Sequence, residues 1–467
     1  MYLSDSTQHD VTISDDAGTG GLKRSLSNRQ IQMLAIGGVI GVGLFYGASL
    51  SVKLAGPAVI IDFIICGLLV AIVMRTLAEM TVDQPIAGSF SAYAKMWLGE
   101  RTSFITTGMW WFYWVATVMS ELAAIGKLME YWFPSLPAWL PGLIALVLFI
   151  ITNLLSVKIF GEVEYWFSVL KVFAVTLFMV FGALIIATGL FNAGHPVGFV
   201  NLWAHGGFAP SGFMGIAMAI SLTVQAYSGV ETLAVEAAET LNPKKNIKRA
   251  FNTVTWRIAI LYVGSIFIML SAFPWNYLIN HQGSPYVLLF AKIGIPFAAG
   301  LVNLIIILSG LSSCNTGLYG GSRILFGSAI GTRHEQFVGR LNQRKVPHIA
   351  VWLTGLAILI GIVVTYISPN NVYVWITSAS AFADLWVWGV ILVSEMVFRS
   401  RMNKEGKRLD FPVPFWPLTP ILGLVLVIAS FTAILISPLT RISVLTGVVF
   451  LVLLWLYHIL TYKTTKA

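Results

Sequence analysis

Apolar residues occur along this chain in long runs that short polar segments separate. A run of about 20 mostly apolar residues is long enough to cross a bilayer as an α-helix. The pattern predicts about twelve such helices, with boundaries accurate to a few residues. Their approximate bounds are 31–51, 57–78, 103–130, 139–156, 163–189, 212–236, 250–273, 286–314, 347–367, 372–397, 418–436 and 442–461. The sequence therefore predicts an all-α polytopic membrane protein.

The composition agrees with this class. Of the 467 residues, 57% are hydrophobic and only 10% are charged, with a mean hydropathy of +0.81. A soluble protein carries about a quarter charged residues. The two cysteines, Cys66 and Cys314, lie in apolar runs and predict neither a disulfide framework nor a metal site. The net charge of +9 is better explained as an orientation signal than as a nucleic-acid surface.

Basic residues fall mostly on one side of the predicted spans. This side contains Lys23, Arg24, Arg29, Arg75, Lys95, Arg101, Lys158, Lys244, Lys245, Lys248, Arg249, Arg323, Arg333, Arg340, Arg344, Lys345, Arg399, Arg401, Lys404, Lys407, Arg408, Lys463 and Lys466. The other side has little beyond Lys53 and Arg441. By the positive-inside rule both termini are expected in the cytoplasm. Residues 1–22 are polar and predicted to be disordered, residues 463–467 form a short tail, and no cleavable signal peptide is expected.

The first apolar run contains a glycine-rich stretch, Gly41-Val42-Gly43. Each glycine weakens a helix by about 1 kcal/mol relative to alanine. A helix break inside a bilayer is tolerated only where the freed backbone groups face protein, water or a ligand. The stretch predicts either a broken helix at a substrate site or close helix packing through small residues.

A second interruption is predicted at Ser228-Gly229, in the sixth run, beside the intramembrane carboxylate Glu231. Interruptions in the first and sixth runs suggest two five-helix repeats of opposite orientation, with a site at their interface. The repeats would span 31–189 and 212–397 of a transmembrane domain at 23–462, followed by two additional helices within 418–461. The pair of interruptions favours transport over packing alone.

The two interruptions offer complementary backbone groups. Free N–H groups at a half-helix N-terminus attract an anion, so Val42 and Gly43 are expected to hold a substrate carboxylate. Unwound carbonyl groups near Gln225, Ala226 and Ser228 would accept hydrogen bonds from an ammonium group. Together these groups match a zwitterionic α-amino acid.

Several motifs, in chain order, resemble the amino acid–polyamine–organocation permeases, in particular their amino acid transporter branch. They are IGGVIGVGLF at 36–45, AGP at 55–57, MRTLAEM at 74–80 (where the family usually has Gly at the Ala78 position), PIAGSFSAYA at 85–94, GEVEYWF at 161–167, GVE at 229–231, AE at 238–239 with NP at 242–243, and NTGLY at 315–319 with SR at 322–323. The resemblance implies the leucine-transporter fold and proton-coupled amino acid uptake across the bacterial inner membrane. It also implies a carboxylate site lined by Ile40, Gly41, Val42 and Gly43, and an amino-group site lined by Gln225, Ser228 and Gly229.

The resemblance further implies coupling roles for two intramembrane residues. Lys171, in the fifth run, matches the segment where proton-coupled relatives have a lysine and sodium-coupled relatives bind an ion. The alternative is a lysine that snorkels to the interface, although its position about 12 Å into the helix is deep for that. Glu231 matches a glutamate tied to gating and proton sensing, and its alternative role is a structural hydrogen bond to the first-span region.

Other polar residues within the spans leave alternatives open. Glu121 is expected to face the substrate, or else to pair with Lys127 or with a polar group of the eighth run. Tyr227 is a candidate for substrate selectivity. Asp384 departs from the family pattern and is either a substrate determinant or a helix-packing residue. Ser312 and Ser313 resemble sodium-ligating hydroxyls of distant relatives, but the presence of Lys171 argues against a sodium site.

Other function classes lack support. The sequence shows no nucleophile–base constellation and no phosphate loop, so neither an enzyme nor an ATP-driven pump is predicted, and no cofactor is expected. The ordered motifs also argue against a channel. Proton symport of a small neutral amino acid is favoured; γ-aminobutyrate and cationic amino acids remain possible substrates. Antiport of amino acids or amines is the alternative mechanism.

Overall fold

The computed structural model describes residues 40–84, 86, 89–155, 160–190, 192–232, 243–280, 284–292, 296–329, 335–344 and 346–465. Predictions for the remaining positions lie outside the described residues. These include the polar segment 1–22, the start of the first apolar run, and the AE motif at 238–239.

All regular secondary structure in the described part of the chain is helical. A π-helical turn, Gly43–Gly47, precedes the first α-helix. The α-helices are α1 (Ala48–Ala55), α2 (Val59–Asp83), α3 (Ser89–Leu98), α4 (Glu100–Met129), α5 (Trp139–Leu155), α6 (Phe160–Thr188), α7 (Gly212–Tyr227), α8 (Pro243–Ala272), α9 (Trp275–Asn280), α10 (Pro285–Lys292), α11 (Pro296–Ala329), α12 (Glu335–Val338), α13 (His348–Ile367), α14 (Val372–Lys404), α15 (Leu418–Ile436) and α16 (Arg441–Thr465). Short 3₁₀ turns cover Gly56–Ala58 and Val200–Leu202.

These helices confirm the all-α polytopic class. Seven helical stretches of the described residues are long and apolar enough to cross a membrane: Gly43–Asp83, Tyr165–Thr188, Phe297–Ala329, His348–Ile367, Val372–Lys404, Leu418–Ile436 and Arg441–Leu460. Three further apolar helices are shorter, and α4 is 30 residues long. The total of twelve spans remains a prediction.

The eighth apolar run differs from its predicted form. The expected single helix over 286–314 is two helices, α10 and α11, and α11 continues to Ala329. Each of the two begins at a proline, Pro285 and Pro296. Proline has no N–H to donate inside a helix, but its fixed φ suits the first turn, so Pro296 begins a helix instead of continuing one. Hydrophobicity alone cannot show this division.

The helices differ in how much of their surface is buried, and α15 and α16 are the least buried of the seven stretches named above. The most apolar part of α14 is 72% buried, whereas those of α15 and α16 are only 28% and 22% buried. Helix α4 packs most extensively against α11 and α14. The last two helices therefore present mostly apolar surface outward, as expected of helices that face lipid.

A polar contact ties α2 to α14 and to the segment that follows α14. Arg399 donates to Glu79 Oε1 at 2.8 Å, and the Val413 N–H donates to Glu79 Oε2. Arg75 donates to the Pro412 carbonyl at 2.7 Å. Because the Glu79 side chain is fully buried and that of Arg399 is only 18% exposed, loss of one partner leaves a buried charge.

We expect Arg399→Met to lower the free energy of unfolding by about 3 kcal/mol, because it strips a buried carboxylate of its charged partner. The matched control is Arg401→Met on the same helix, whose pair with Glu405 is exposed and worth at most about 1 kcal/mol. Thermal unfolding in detergent compares the two. Equal stability of the two variants would show that the Glu79 contact contributes little.

Candidate functional site

The backbone around Gly41 is irregular, and its polar groups are satisfied by neighbouring helices. Ile40 and Gly41 are not helical, and the π-helical turn begins at Gly43. The Ile40 carbonyl accepts a hydrogen bond from Ser309 Oγ at 2.8 Å, and the Phe45 carbonyl accepts one from Ser284 Oγ at 2.8 Å. Such contacts are what an irregular segment requires at membrane depth.

The chain is interrupted a second time where α7 ends at Tyr227. Ser228 is extended, with ψ of 152°, and Gly229 has φ of +93°, a conformation that side chains disfavour. The Ser228 N–H donates to the Gln225 carbonyl at 3.2 Å, and Ser228 Oγ donates to the Val224 carbonyl at 3.1 Å. The Gln225 carbonyl, expected to receive an ammonium group, therefore already accepts one hydrogen bond.

The two interruptions lie on opposite sides of one cavity. Five residues predicted to bind substrate contribute to its wall: Gly41, Gly43, Gln225, Ser228 and Gly229. Glu121 of α4 completes this set. A Cβ on Gly43 would lie 3.2 Å from Ala226 Cα, so the two interrupted segments are in near-contact at this point.

The Glu121 carboxylate occupies the N-terminus of the first interrupted helix. Its two oxygens accept from the Val42 N–H at 3.2 and 3.3 Å. A Cβ at Gly41 would collide with Glu121 Oε1, so only glycine leaves room for the carboxylate. The alternative of a Glu121–Lys127 pair is wrong, because Lys127 pairs with Glu130 at 3.0 Å. The protein thus places its own carboxylate where a substrate carboxylate was expected.

A polar chain connects the second interruption to two other helices. Gln225 Nε2 donates to Thr117 Oγ1 at 3.2 Å, and Thr117 Oγ1 is 2.8 Å from Ser380 Oγ. The remaining amide oxygen, Gln225 Oε1, is buried and has no hydrogen-bond donor in the described part of the chain. This acceptor is available to a ligand with a donor group.

Several predicted residues lie behind the cavity wall. Ile40 contributes its carbonyl to Ser309 and Val42 contributes its N–H to Glu121, while both side chains are buried in the core. Tyr227, a selectivity candidate, points elsewhere: its hydroxyl donates to the Phe63 carbonyl at 2.9 Å and its ring stacks on Tyr262. The Tyr227 side chain therefore does not line the cavity.

The residues assigned to coupling also lie outside the wall. Lys171 is 1% exposed and donates to Ser312 Oγ at 3.0 Å, next to the cavity residue Ser313. Glu231 is fully buried and accepts from Trp388 Nε1 of α14 at 3.3 Å; the described part of the first span, from Ile40 onward, donates no hydrogen bond to it. Asp384, the possible selectivity residue, is fully buried against Glu231.

The structure adds wall residues that were not predicted. They are Tyr113, Trp114, Thr117 and Ser120 of α4, Thr316 of α11, and Tyr373 of α14. Thr117, Trp114 and Tyr113 precede Glu121 by four, seven and eight positions, so a one-face projection from Glu121 would have found these three. Tyr373 carries no comparable signal, because only the fold brings α14 to the site.

Comparison with known proteins gives a consistent result. The family model described as amino acid permease matches residues 30–467. The chain is 40% identical over 441 residues to the uncharacterized amino acid permease YtnA of Bacillus subtilis, covering 94% of this chain and 95% of the relative. It is 37% identical to the probable threonine/serine transporter YbxG of Bacillus subtilis, over 92% of this chain and 93% of the relative.

A relative from a second organism and a solved structure extend this result. The aromatic amino acid transport protein AroP of Escherichia coli is 34% identical, with 96% and 97% of the two chains covered. A crystal structure of a mutant manganese transporter of Eremococcus coleocola matches with a TM-score of 0.56 at 13% identity, covering 97% of this chain and all of that chain. The latter likeness supports the predicted leucine-transporter-like fold alone.

Proposed function

Because the chain belongs to the amino acid permease family, we propose that it imports an α-amino acid across the plasma membrane by proton symport. The two interrupted segments would provide alternating access to the cavity between them. Both termini would lie in the cytoplasm, as the distribution of basic residues favours. The two inverted repeats predicted from the sequence would supply the symmetry for this motion.

The main support for proton coupling in this proposal is the position of Glu121. Its carboxylate accepts from the Val42 N–H, the group expected to bind the substrate carboxylate. Two carboxylates cannot share this N–H, and like charges repel strongly away from water. A substrate carboxylate can replace that of Glu121 only if Glu121 gives up the Val42 N–H. In our proposal Glu121 accepts a proton as it does so, which links substrate binding to proton binding.

Lys171 and Glu231 extend the coupling away from the cavity. The Lys171 ammonium is close enough to Glu121 to interact electrostatically, and it hydrogen-bonds Ser312. Glu231 follows the second interruption directly, so movement there displaces its carboxylate. We assign both residues to proton coupling and gating, with Gln225, Ser228 and Gly229 receiving the substrate amino group.

The cavity wall favours a small neutral substrate. Three rings, Tyr113, Trp114 and Tyr373, restrict the room for a large side chain. Hydroxyl groups from Ser313 and Thr316 also line the wall and can hydrogen-bond a substrate hydroxyl. The similarity to a probable threonine/serine transporter makes these two amino acids the first candidates.

Uptake into proteoliposomes tests the proposal. A panel of radiolabelled amino acids is offered to vesicles whose interior is alkaline, with and without a protonophore. Accumulation that the protonophore abolishes supports proton symport and identifies the substrate. Uptake that requires vesicles preloaded with amino acid would instead establish exchange.

We expect the substrate affinity of the wild type to change by about tenfold or more across the pH series, and that of Glu121→Gln to change much less. The reason is that the neutral amide needs no proton when the substrate carboxylate arrives. Radioligand binding across a pH series measures this. Glu130→Gln is the matched control, because Glu130 pairs with Lys127 at the end of the same helix. An unchanged pH profile in Glu121→Gln would remove Glu121 from the coupling mechanism.

A further inference from the structure

Asp384 and Glu231 form a buried carboxyl pair behind the second interruption. Asp384 belongs to α14, and Glu231 lies two residues after Gly229 of the cavity wall. Both side chains are fully buried. Trp388, one helical turn after Asp384 on α14, donates to Glu231 Oε2 at 3.3 Å, so the Glu231 carboxyl lies beside this part of α14 and interacts electrostatically with Asp384. The mechanism proposed above assigns no role to Asp384, although it shares this buried region with Glu231.

The hydrogen bonding of the pair is incomplete. Trp388 donates to Glu231 Oε2, but Glu231 Oε1 and both oxygens of Asp384 have no donor among the described residues. An ionised carboxylate can only accept hydrogen bonds, whereas a protonated one also donates. One proton between the two groups would give each of them a partner and would remove the repulsion of two buried like charges.

Among the described residues, the groups around the pair supply no positive charge. Tyr113 of α4 interacts electrostatically with both carboxyl groups and with Glu121 of the same helix. The other helices packed on α14 contribute titratable groups that are engaged elsewhere or lie at helix ends: Tyr227, whose hydroxyl bonds to Phe63; Asp62 and Cys66 of α2, which interact with each other; Glu79 and Arg75 of α2; Tyr93 and Lys95 of α3; His348 and Tyr366 of α13; and Arg441, Tyr457 and His458 of α16. The described part of α15 contains none.

We infer that Asp384 and Glu231 hold one shared proton and act together as a proton-binding site of the transport cycle. The proton enters from the extracellular water, forms the bond between the two carboxyl groups, and leaves to the cytoplasmic water. This inference deepens the proposed symport and rests on it.

The fold ties occupancy of this site to conformation. Asp384 is on a continuous helix of 33 residues, whereas Glu231 is on the interrupted segment. A side chain at Gly229 would approach the Tyr113 hydroxyl within 3.2 Å, so the interruption is in close contact with α4 as well. A displacement of this segment that separates the two carboxyl groups and admits water would let one of them ionise and pass the shared proton to that water.

The test compares Asp384→Asn, Glu231→Gln and the double variant in proteoliposomes. We expect each single variant to reduce gradient-driven accumulation by about tenfold or more while substrate counterflow persists, and the double variant to be no worse than either single one. Parallel loss of accumulation and counterflow with a lower melting temperature would indicate a structural role and overturn the inference. So would additive losses, which indicate two independent groups.

A second readout does not depend on transport. Infrared difference spectra of the purified protein detect the carbonyl stretch of a protonated carboxyl group and its shift in D₂O. We expect a band at neutral pH that both Asp384→Asn and Glu231→Gln remove, and a band that neither variant changes would refute the shared proton. If the wild-type protein accumulates no amino acid, the symport proposal fails, and the infrared result still decides whether the pair holds a proton.

Glu395→Gln is the matched control. Glu395 is also a fully buried carboxylate of α14 whose oxygens have no hydrogen-bond donor among the described residues. It lies about 16 Å further along the helix than Asp384, outside the pair. We expect accumulation and the infrared band to persist in this variant. Equal effects of Glu395→Gln and Asp384→Asn would show a general response of α14 to the loss of a buried carboxylate and overturn the inference.

Discussion

Gly43→Leu is expected to lower substrate affinity by about 100-fold or more, equivalent to about 3 kcal/mol. A Cβ at this position would lie 3.2 Å from Ala226 Cα and 3.6 Å from Ala226 N. These are backbone atoms of the second interrupted segment, so no side-chain rotation can make room. The leucine must push the two segments apart and so enlarge and distort the site between them. Radioligand binding and counterflow in detergent-purified, monodisperse protein measure the effect.

Gly327→Leu is the control for this substitution. Gly327 is an exposed residue of α11, and a Cβ there would meet no atom within 4 Å. We expect this variant to bind like the wild type and Gly43→Ala to fall between the two leucine variants. Normal binding and transport by Gly43→Leu would mean that the close approach to Ala226 is ordinary helix packing.

Local sequence signals were sufficient to place non-helical backbone at Gly41 and at Ser228-Gly229. Gly41-Val42-Gly43 and Ser228-Gly229 contain residues whose backbone preferences are visible without the fold. The structure has a non-helical Gly41 and a positive φ at Gly229, as the glycines suggested. The apolar runs likewise predicted the helices, apart from the division of the eighth run at Pro296.

Contacts between distant parts of the chain were beyond such signals. Glu121 and Val42 are separated by 79 positions, and no periodicity indicates that one should bind the other. Asp384 was predicted as a substrate or packing residue, and its place against Glu231 depends on how α14 crosses the end of α7. For Tyr227 the composition of the run gave no direction for the side chain, which points to Phe63 and away from the cavity.

The position of Glu121 changes how the opening glycine stretch is understood. The sequence offered two alternatives for it, a substrate site and close helix packing, and the structure has features of both. Gly43 lies against Ala226, and Gly41 leaves room for the Glu121 carboxylate on the Val42 N–H. Three consecutive residues thus combine a close backbone approach at Gly43 with a bound carboxylate at Val42.

Lys171→Met is expected to abolish accumulation against a gradient while leaving exchange intact. Lys171 is 1% exposed and donates to Ser312 Oγ at 3.0 Å, beside Ser313 of the cavity wall. Methionine keeps the length and apolar volume of the side chain without a charge. Without the ammonium group, substrate can still cross, but the proton gradient cannot drive it. The internal-to-external substrate ratio in proteoliposomes should fall to about one, the value without coupling.

Protein stability separates this role from a structural one. Replacing a buried charge with an apolar side chain of similar volume is often neutral or stabilising, so the melting temperature of Lys171→Met should not fall. Lys127→Met, which removes a half-buried lysine paired with Glu130, is the matched control and should accumulate substrate normally. A Lys171→Met protein that accumulates like the wild type would exclude a coupling role. One that loses stability, binding and exchange together would show that the ammonium holds the α6–α11 contact in place.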